Sequence, residues 1–339
     1  MHKTTKHIHR ITVIIVFLAL GFSLDLSLSA KGVDSLFFDA RGSFHQEVLD
    51  GKYSARFRAE HINFNIFGHI TDKLTYRMRQ RLNVWGDTDD PFRATDWLCL
   101  SWQATPKFRI YAGKTAVLIG GYEYDAAVID VYYYSRFCSG LDQGYAFGVN
   151  MEYAFMPGQS LIMQVANSPL SIGFQNQFGY NLAWSGGFTK WWKTIWSLNF
   201  VEDDDHRFVN YLALGNHFIF NKVTLDIDIF NRAGIGQKNF FFTDFSAISK
   251  VIWNIGKWNI CTKFGYEMND AANVNAEGKA YDTVIAPGTE SFYWGCGLEY
   301  FPLNNDKARL HLTYFTNTFD RIHNIQLGLK WRFDIIGNK

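Results

Sequence analysis

Three arginines, Arg77, Arg79 and Arg81, stand at strict period two inside Leu74–Trp85, where Leu74, Tyr76, Met78, Leu82 and Val84 fill the other face. On an extended strand, alternate side chains leave by one face, so successive guanidiniums lie about 6.6 Å apart at a rise of ~3.3 Å per residue. Arginine keeps its proton and offers a planar fork of donors. Such a column suits handing an oxyanion from one weak site to the next. The same alternation turns Arg41 with His45, Arg109, Arg309 with His311, and Lys330 with Arg332 to the polar side. Arg56 and Arg58 join them if Tyr53, Ala55 and Phe57 take the apolar side. Ile62, Phe64 and Ile66 have the opposite parity, so that segment requires a bulge between the two halves. Glu152, Asp226, Asp228, Glu267 and Glu299 come from other segments and set an acidic wall against the basic one. Charges lining a water-filled interior also brace one another, so bracing stays open beside anion conduction.

Other chemistry is poorly supported. Four cysteines (Cys99, Cys138, Cys261, Cys296) form no CxxC and have no histidine at metal spacing, so neither a metal site nor a cofactor is expected. His206 follows Asp203–Asp205 and His311 precedes Thr313, but neither has an evident nucleophile, which argues against an enzyme. With 33 Lys+Arg against 32 Asp+Glu the net charge is +1, too small for a nucleic-acid binder held by bulk charge.

The elements that must position these residues are strands. The chain is 47% apolar and 17% aromatic, yet beyond the first thirty residues no apolar run approaches the ~20 that a spanning helix needs. Segments of about ten residues alternate apolar with polar or small, as in Tyr145–Phe155 and Phe292–Tyr300. Sixteen can be counted, from 37–47 to 323–334, and the connection after each even-numbered segment is tight, as at Thr71–Lys73 and Gly256–Lys257. An all-β, transmembrane antiparallel barrel of sixteen strands is expected, with the tight turns on the periplasmic side. Residues 1–30 read as a signal peptide: Lys3, Lys6 and Arg10 are basic, Ile11–Phe22 is apolar, and Ser23–Ala30 is small and polar. Residues 31–339 would then be the barrel domain.

The longest connection, Leu118–Gly144, is the third outer loop and carries Glu123, Asp125, Asp130, Arg136 and Asp142 with Tyr122, Tyr124 and Tyr132–Tyr134. Lys114 lies on the strand before it. A loop of this length is rarely structureless. Ala126–Tyr134 has the makings of a short helix, and the alternatives are an inward constriction or an external flap. Cys99 and Cys138 would form a disulfide if the loop folds inward, whereas Cys261 and Cys296 point to opposite faces of neighbouring strands.

FRIYAGKTAVLIGGYEYDAAVIDVYYYS at Phe108–Ser135, QVANSP at Gln164–Pro169 and QNQFGYNLAW at Gln175–Trp184 resemble the phosphate-selective porin O and P family, in its Bacteroidetes-type form. QLGLKWRF at Gln326–Phe333 resembles the terminal signal by which barrels are recognised for insertion. The resemblance implies an outer-membrane homotrimer, bathed in outer-membrane lipid, that passes small anions or other small hydrophilic solutes, with the third loop folded into the pore. The loop has a single arginine and a net acidic count, which leaves general diffusion open beside phosphate preference. A non-conducting structural or adhesin-type barrel is the alternative.

Overall fold

The computed structural model describes residues 32–84, 92–141, 144–171 and 176–337. The signal-peptide segment 1–30 and Asp142 lie outside the described residues. Sixteen strands follow one another: β1 (Val33–Leu49), β2 (Lys52–Thr71), β3 (Leu74–Arg81), β4 (Thr95–Thr105), β5 (Phe108–Ala116), β6 (Tyr145–Met156), β7 (Gln159–Asn167) and β8 (Phe178–Gly187). The second half is β9 (Trp192–Glu202), β10 (Phe208–Phe220), β11 (Val223–Gly234), β12 (Asp244–Ile255), β13 (Trp258–Asn269), β14 (Thr289–Tyr300), β15 (Ala308–Asn317) and β16 (Ile322–Ile336). Each pairs antiparallel with its sequence neighbours, and β1 pairs with β16, so the sheet closes into a barrel with no open edge order. Among the described residues no helix is long and apolar enough to cross a membrane.

The alternation explains closure. On β4, Leu98, Leu100 and Trp102 are exposed, and on β6 so are Val149, Met151, Tyr153 and Phe155. Their neighbours Asn150 on β6 and Gln164 on β7 are buried inside and hydrogen-bonded to each other at 2.8 Å. An apolar band outside and a polar interior are what a bilayer around a closed sheet demands, because no strand can leave backbone groups unpaired in hydrocarbon. Connections at one end are two to seven residues, such as Asn221–Lys222, while the other end carries the long ones. Three connections at that end are nonetheless short: β1 turns into β2 through Asp50–Gly51 alone, both at positive φ (46° and 77°), β9 into β10 through Asp203–Arg207 and β15 into β16 through Thr318–Arg321. β3 is also shorter than expected and stops at Arg81.

Two register shifts matter for the interior. In β2 the pairing with β1 slips between His61 and Ala59, leaving Glu60 as the extra residue, which is where the parity conflict in the sequence requires a bulge. In β4 the pairing with β3 slips between Trp97 and Thr95, leaving Asp96 as the extra residue. A bulge re-aims the side chain it carries. Here both carry a carboxylate.

Candidate functional site

The interior is built from the strands and from segment 117–144, which joins β5 to β6. That segment is not one helix over Ala126–Tyr134. It holds two short helices, α1 (Tyr122–Asp125) and α2 (Arg136–Gly140), and a 3-10 turn at Val128–Asp130. The helix N-termini at Tyr122 and Arg136 have free N–H groups that need acceptors. Asp228 on β11 accepts from Tyr122 N (2.8 Å) and Glu123 N (2.7 Å), and Glu267 on β13 accepts from Arg136 N (2.7 Å) and Phe137 N (3.0 Å). Both carboxylates are buried. Ser135 caps α2, its Oγ accepting from Cys138 N at 3.1 Å. Where the segment first meets the wall, Gly121 (φ 103°) lies against Gly215 of β10, and a Cβ built on Gly215 would come within 2.6 Å of Gly121 Cα. Only two glycines allow this contact.

Further tethers carry the segment round the wall. Leu118 N donates to Gln164 on β7, Gly120 N to Ser197 on β9, and Tyr132 Oη to Glu299 on β14. Lys263 on β13 donates to Glu123 (2.9 Å). Asp130 takes Arg309 (3.0 Å) from β15 and Lys330 (2.6 Å) from β16, and Arg41 on β1 donates to the carbonyls of Ile129 and Val131. Phe137 is fully buried between Tyr211 and Phe230, in an apolar cluster with Val117, Ile119 and Ile285. Among the described residues these side-chain tethers fall on β7, β9, β11, β13–β16 and β1, and none falls on β2–β5. Between the segment and β11–β16 lies a cavity of about 330 Å³, bordered by Tyr132, Tyr293, Lys250, Lys263, Glu299 and Arg309.

The uncovered stretch of wall holds the arginine column. Arg79 is buried and its Nε meets Asp96 at 2.9 Å; Arg81 Nε meets the other oxygen of Asp96 at 3.0 Å. The bulged carboxylate therefore occupies two of the three guanidiniums. Arg79 also donates to Tyr145 Oη, so Tyr145 turns inward rather than sharing the outer face with Phe147. Glu60, the other bulged acid, accepts from Arg41 (2.9 Å), Ser43 (2.5 Å) and His45 (3.0 Å). Arg77 differs. Its guanidinium lies 3.8 Å from the Trp97 ring centroid and 4.9 Å from that of Phe67. Its Nε is buried without a hydrogen-bond partner, and no carboxylate pairs with it among the described residues.

The remaining expected residues fall into three groups. Arg109 pairs with Glu152 on neighbouring β6, and Arg332 pairs with Asp334 at 2.6 Å. Arg309 and Lys330 are bound to the loop through Asp130, and Arg309 also reaches Glu299 at 3.3 Å. Arg56 and Arg58 share a face with His45 and Ser43, their partners across the strand pair, but both are exposed. They lie above the bulge, beyond the part of β2 that β3 covers. Lys114 lies on β5, just ahead of the loop, as read from the sequence. It shares the face of Leu98 and Phe147, its register partners, and its buried Nζ donates to Phe92 O at 2.7 Å. Glu123 is buried inside the loop's footing, Asp125 is exposed, and Arg136 stacks on Phe319 at 3.6 Å.

The Cys99–Cys138 disulfide does not form; all four cysteines are free. Cys138 is packed with the apolar cluster on the far wall, while Cys99 faces Arg77 on the near one. Among the described residues no group of metal-ligating side chains is present.

Sequence reasoning missed Asp96 and Glu60, whose inward aim depends on bulges, and missed the tethering use of Asp228 and Glu267. Their one signal was an acid at an inward position of a strand.

No family model matches the sequence, and no curated protein does. Among solved structures the fold is similar to OmpT, an outer membrane protein of Vibrio cholerae, in its trimer form, at 12% identity over 89% of this chain and 100% of that one, with a TM-score of 0.60. It is similar also to OccD3 (OpdP) of Pseudomonas aeruginosa, at 10% identity over 92% and 94% of the two chains and a TM-score of 0.56. A triple mutant of the Rhodopseudomonas blastica porin shows 12% identity over 87% and 99%, with a TM-score of 0.52. The chain thus has the fold of outer-membrane porin barrels.

Proposed function

We propose that the protein is an outer-membrane porin, delivered by its N-terminal signal peptide, that passes small hydrophilic solutes by diffusion and favours small oxyanions such as phosphate. The passage runs between the tethered loop and the β2–β6 wall. Arg77 carries the anion preference, because it is the interior arginine of the column with donors to spare, backed by two aromatic rings that leave its charge uncompensated. Arg79 and Arg81, sharing Asp96, supply orientation more than net charge. This arrangement supports a single anion station rather than a continuous ladder, and so favours modest anion selectivity over strict phosphate specificity. A homotrimer is part of the same reading, supported by the likeness to OmpT in its trimer form.

Planar-bilayer recording in a salt gradient tests it. The expected result is ohmic steps with a reversal potential on the anion side, reduced in conductance by added phosphate. Absence of ohmic steps would favour the non-conducting barrel instead.

A further inference from the structure

β2 is longer than a membrane crossing needs. It runs for 20 residues, whereas a strand spanning the apolar band takes about 9–11. Counted from Thr71, that length is used up near His61, and β3 pairs with β2 only as far as Asn63. Asn83 closes the ladder there: its side chain accepts from Ile62 N (3.3 Å) and donates to Glu60 O (2.9 Å). Beyond that point Lys52–Ala59 is held by β1 alone, and every residue in it is exposed. The two-residue turn at Asp50–Gly51 makes Leu49 and Lys52 the first hydrogen-bonded pair. By alternation Tyr53, Ala55, Phe57 and Ala59 fall in non-bonded pairs, so their N–H and C=O groups point away from β1. None of these groups has a backbone partner among the described residues.

An exposed, extended edge of this kind is a template for another strand. Its two faces choose which. Lys52, Arg56 and Arg58 share one face and have no ion-pair partner among the described residues. Glu47, the acid across from Ser54 on that face, is taken by Asn324 at 3.0 Å. The opposite face carries Tyr53 and Phe57, 67% and 85% exposed. A second copy of this edge, paired antiparallel, would set the cations against their own kind, which is destabilising. A strand with acids on one face and apolar residues on the other complements both.

We propose that Lys52–Ala59 of β2 is a docking edge for an extended, acidic segment of another protein, which adds to the sheet as a further strand above the membrane. Main-chain hydrogen bonds to Tyr53, Ala55, Phe57 and Ala59 supply affinity, and carboxylates facing Arg56 and Arg58 supply selectivity. The site goes beyond solute passage and depends on the porin reading only for the side of the membrane that it faces.

Peptide binding to the full barrel in detergent tests it, with a peptide alternating glutamate and valine as probe and its lysine–valine counterpart as control. Residue-resolved hydrogen exchange reads the mode: the amides of Tyr53, Ala55, Phe57 and Ala59 should slow on binding, while those of Ser54, Arg56 and Arg58, already bonded to β1, should not change. The lysine peptide should bind at least about tenfold more weakly, and Arg56→Gln with Arg58→Gln should erase that difference. Ala55→Pro removes a donor from the free edge without breaking the pairing to β1, so it should weaken the glutamate peptide about tenfold or more while heat-modifiable migration persists. No binding, equal binding of the two peptides, or protection without alternation overturns the proposal. So does binding that the glutamine pair abolishes and Ala55→Pro leaves intact, which would assign the arginines to free anions or lipid headgroups. Protection of the same amides without peptide, rising with protein concentration, overturns it in favour of a second copy. Failure of the porin reading shows separately, as absence of ohmic steps with peptide binding unchanged.

Discussion

On the wall of β11, β13 and β14, Asp228, Glu267 and Glu299 each receive a donor from the long loop, while on the wall of β2–β4 Asp96 receives two arginines and leaves Arg77 with none. On the first, charge is consumed in holding a chain segment in place; on the second, the interior Arg77 guanidinium keeps no carboxylate partner among the described residues. Counting charges by strand face, as the sequence allows, describes a transverse field. Pairing cancels much of it. What a lumen charge does is set by whether a partner lies within about 4 Å.

The contrast can be broken from the tethering side with the largest effect. Glu267→Ala leaves two N–H groups of α2 and the Ser246 hydroxyl without an acceptor, at a fully buried site. A cost of about 2–4 kcal/mol to the seated loop is expected. Single-channel conductance should rise and become noisy, and an added protease should cut within 117–144, while heat-modifiable migration persists.

From the other wall, Arg77→Ala should lower the anion-to-cation permeability ratio about fivefold, equivalent to ~1 kcal/mol, as read from the reversal potential. Asp96→Asn sharpens the comparison in the opposite direction. It releases Arg79 and Arg81, so anion preference should increase by about twofold to fivefold. A ratio unmoved by either substitution would reduce the column to wall bracing.

A smaller effect concerns pH. Burial pushes the Asp130 carboxyl up, but Arg309 and Lys330 outweigh it and hold it below the usual carboxylate value. A carboxyl lowered in the folded state lends its stabilisation fully above its unfolded value and loses it as pH falls through the lowered one. Conductance should therefore stay flat from neutral pH to about 4 and change only in stronger acid. Asp130→Asn should remove that acid step. The smallest effect is expected from thiol chemistry. Since Cys99 and Cys138 are free, reductant should leave conductance unchanged, and mass mapping without reductant should find both unpaired.

The strand number and the division into apolar and polar faces were legible because a bilayer punishes any strand whose alternation fails. The β2 bulge was legible for the same reason, as a conflict between Phe57 and Ile62. The β4 bulge was not, because Ala94–Trp97 offers too few alternating positions before the strand begins to reveal a skipped residue. The face taken by Lys114 was not read from the sequence; its register with Leu98 and Phe147 sets it. Nor did the residues of 117–144 reveal their anchor points. Those partners lie up to about 200 positions away, as Lys330 does from Asp130, and local pattern carries nothing at that range.

Closure by β1 against β16 joins residues about 300 positions apart, such as Leu36 and Ile336. Such a contact comes late in folding, since a long loop must lose its freedom before the pairing returns anything. Every hairpin made earlier has an unpaired margin until then. The anchors of 117–144 span both sides of that seam: Arg41 on the first strand, Lys330 on the last and Arg309 beside it. Only a finished ring presents all three together. The tip's anchors are therefore complete only once the final strand is in place, whereas the footing of the segment on β7, β9, β11 and β13 needs no closed ring.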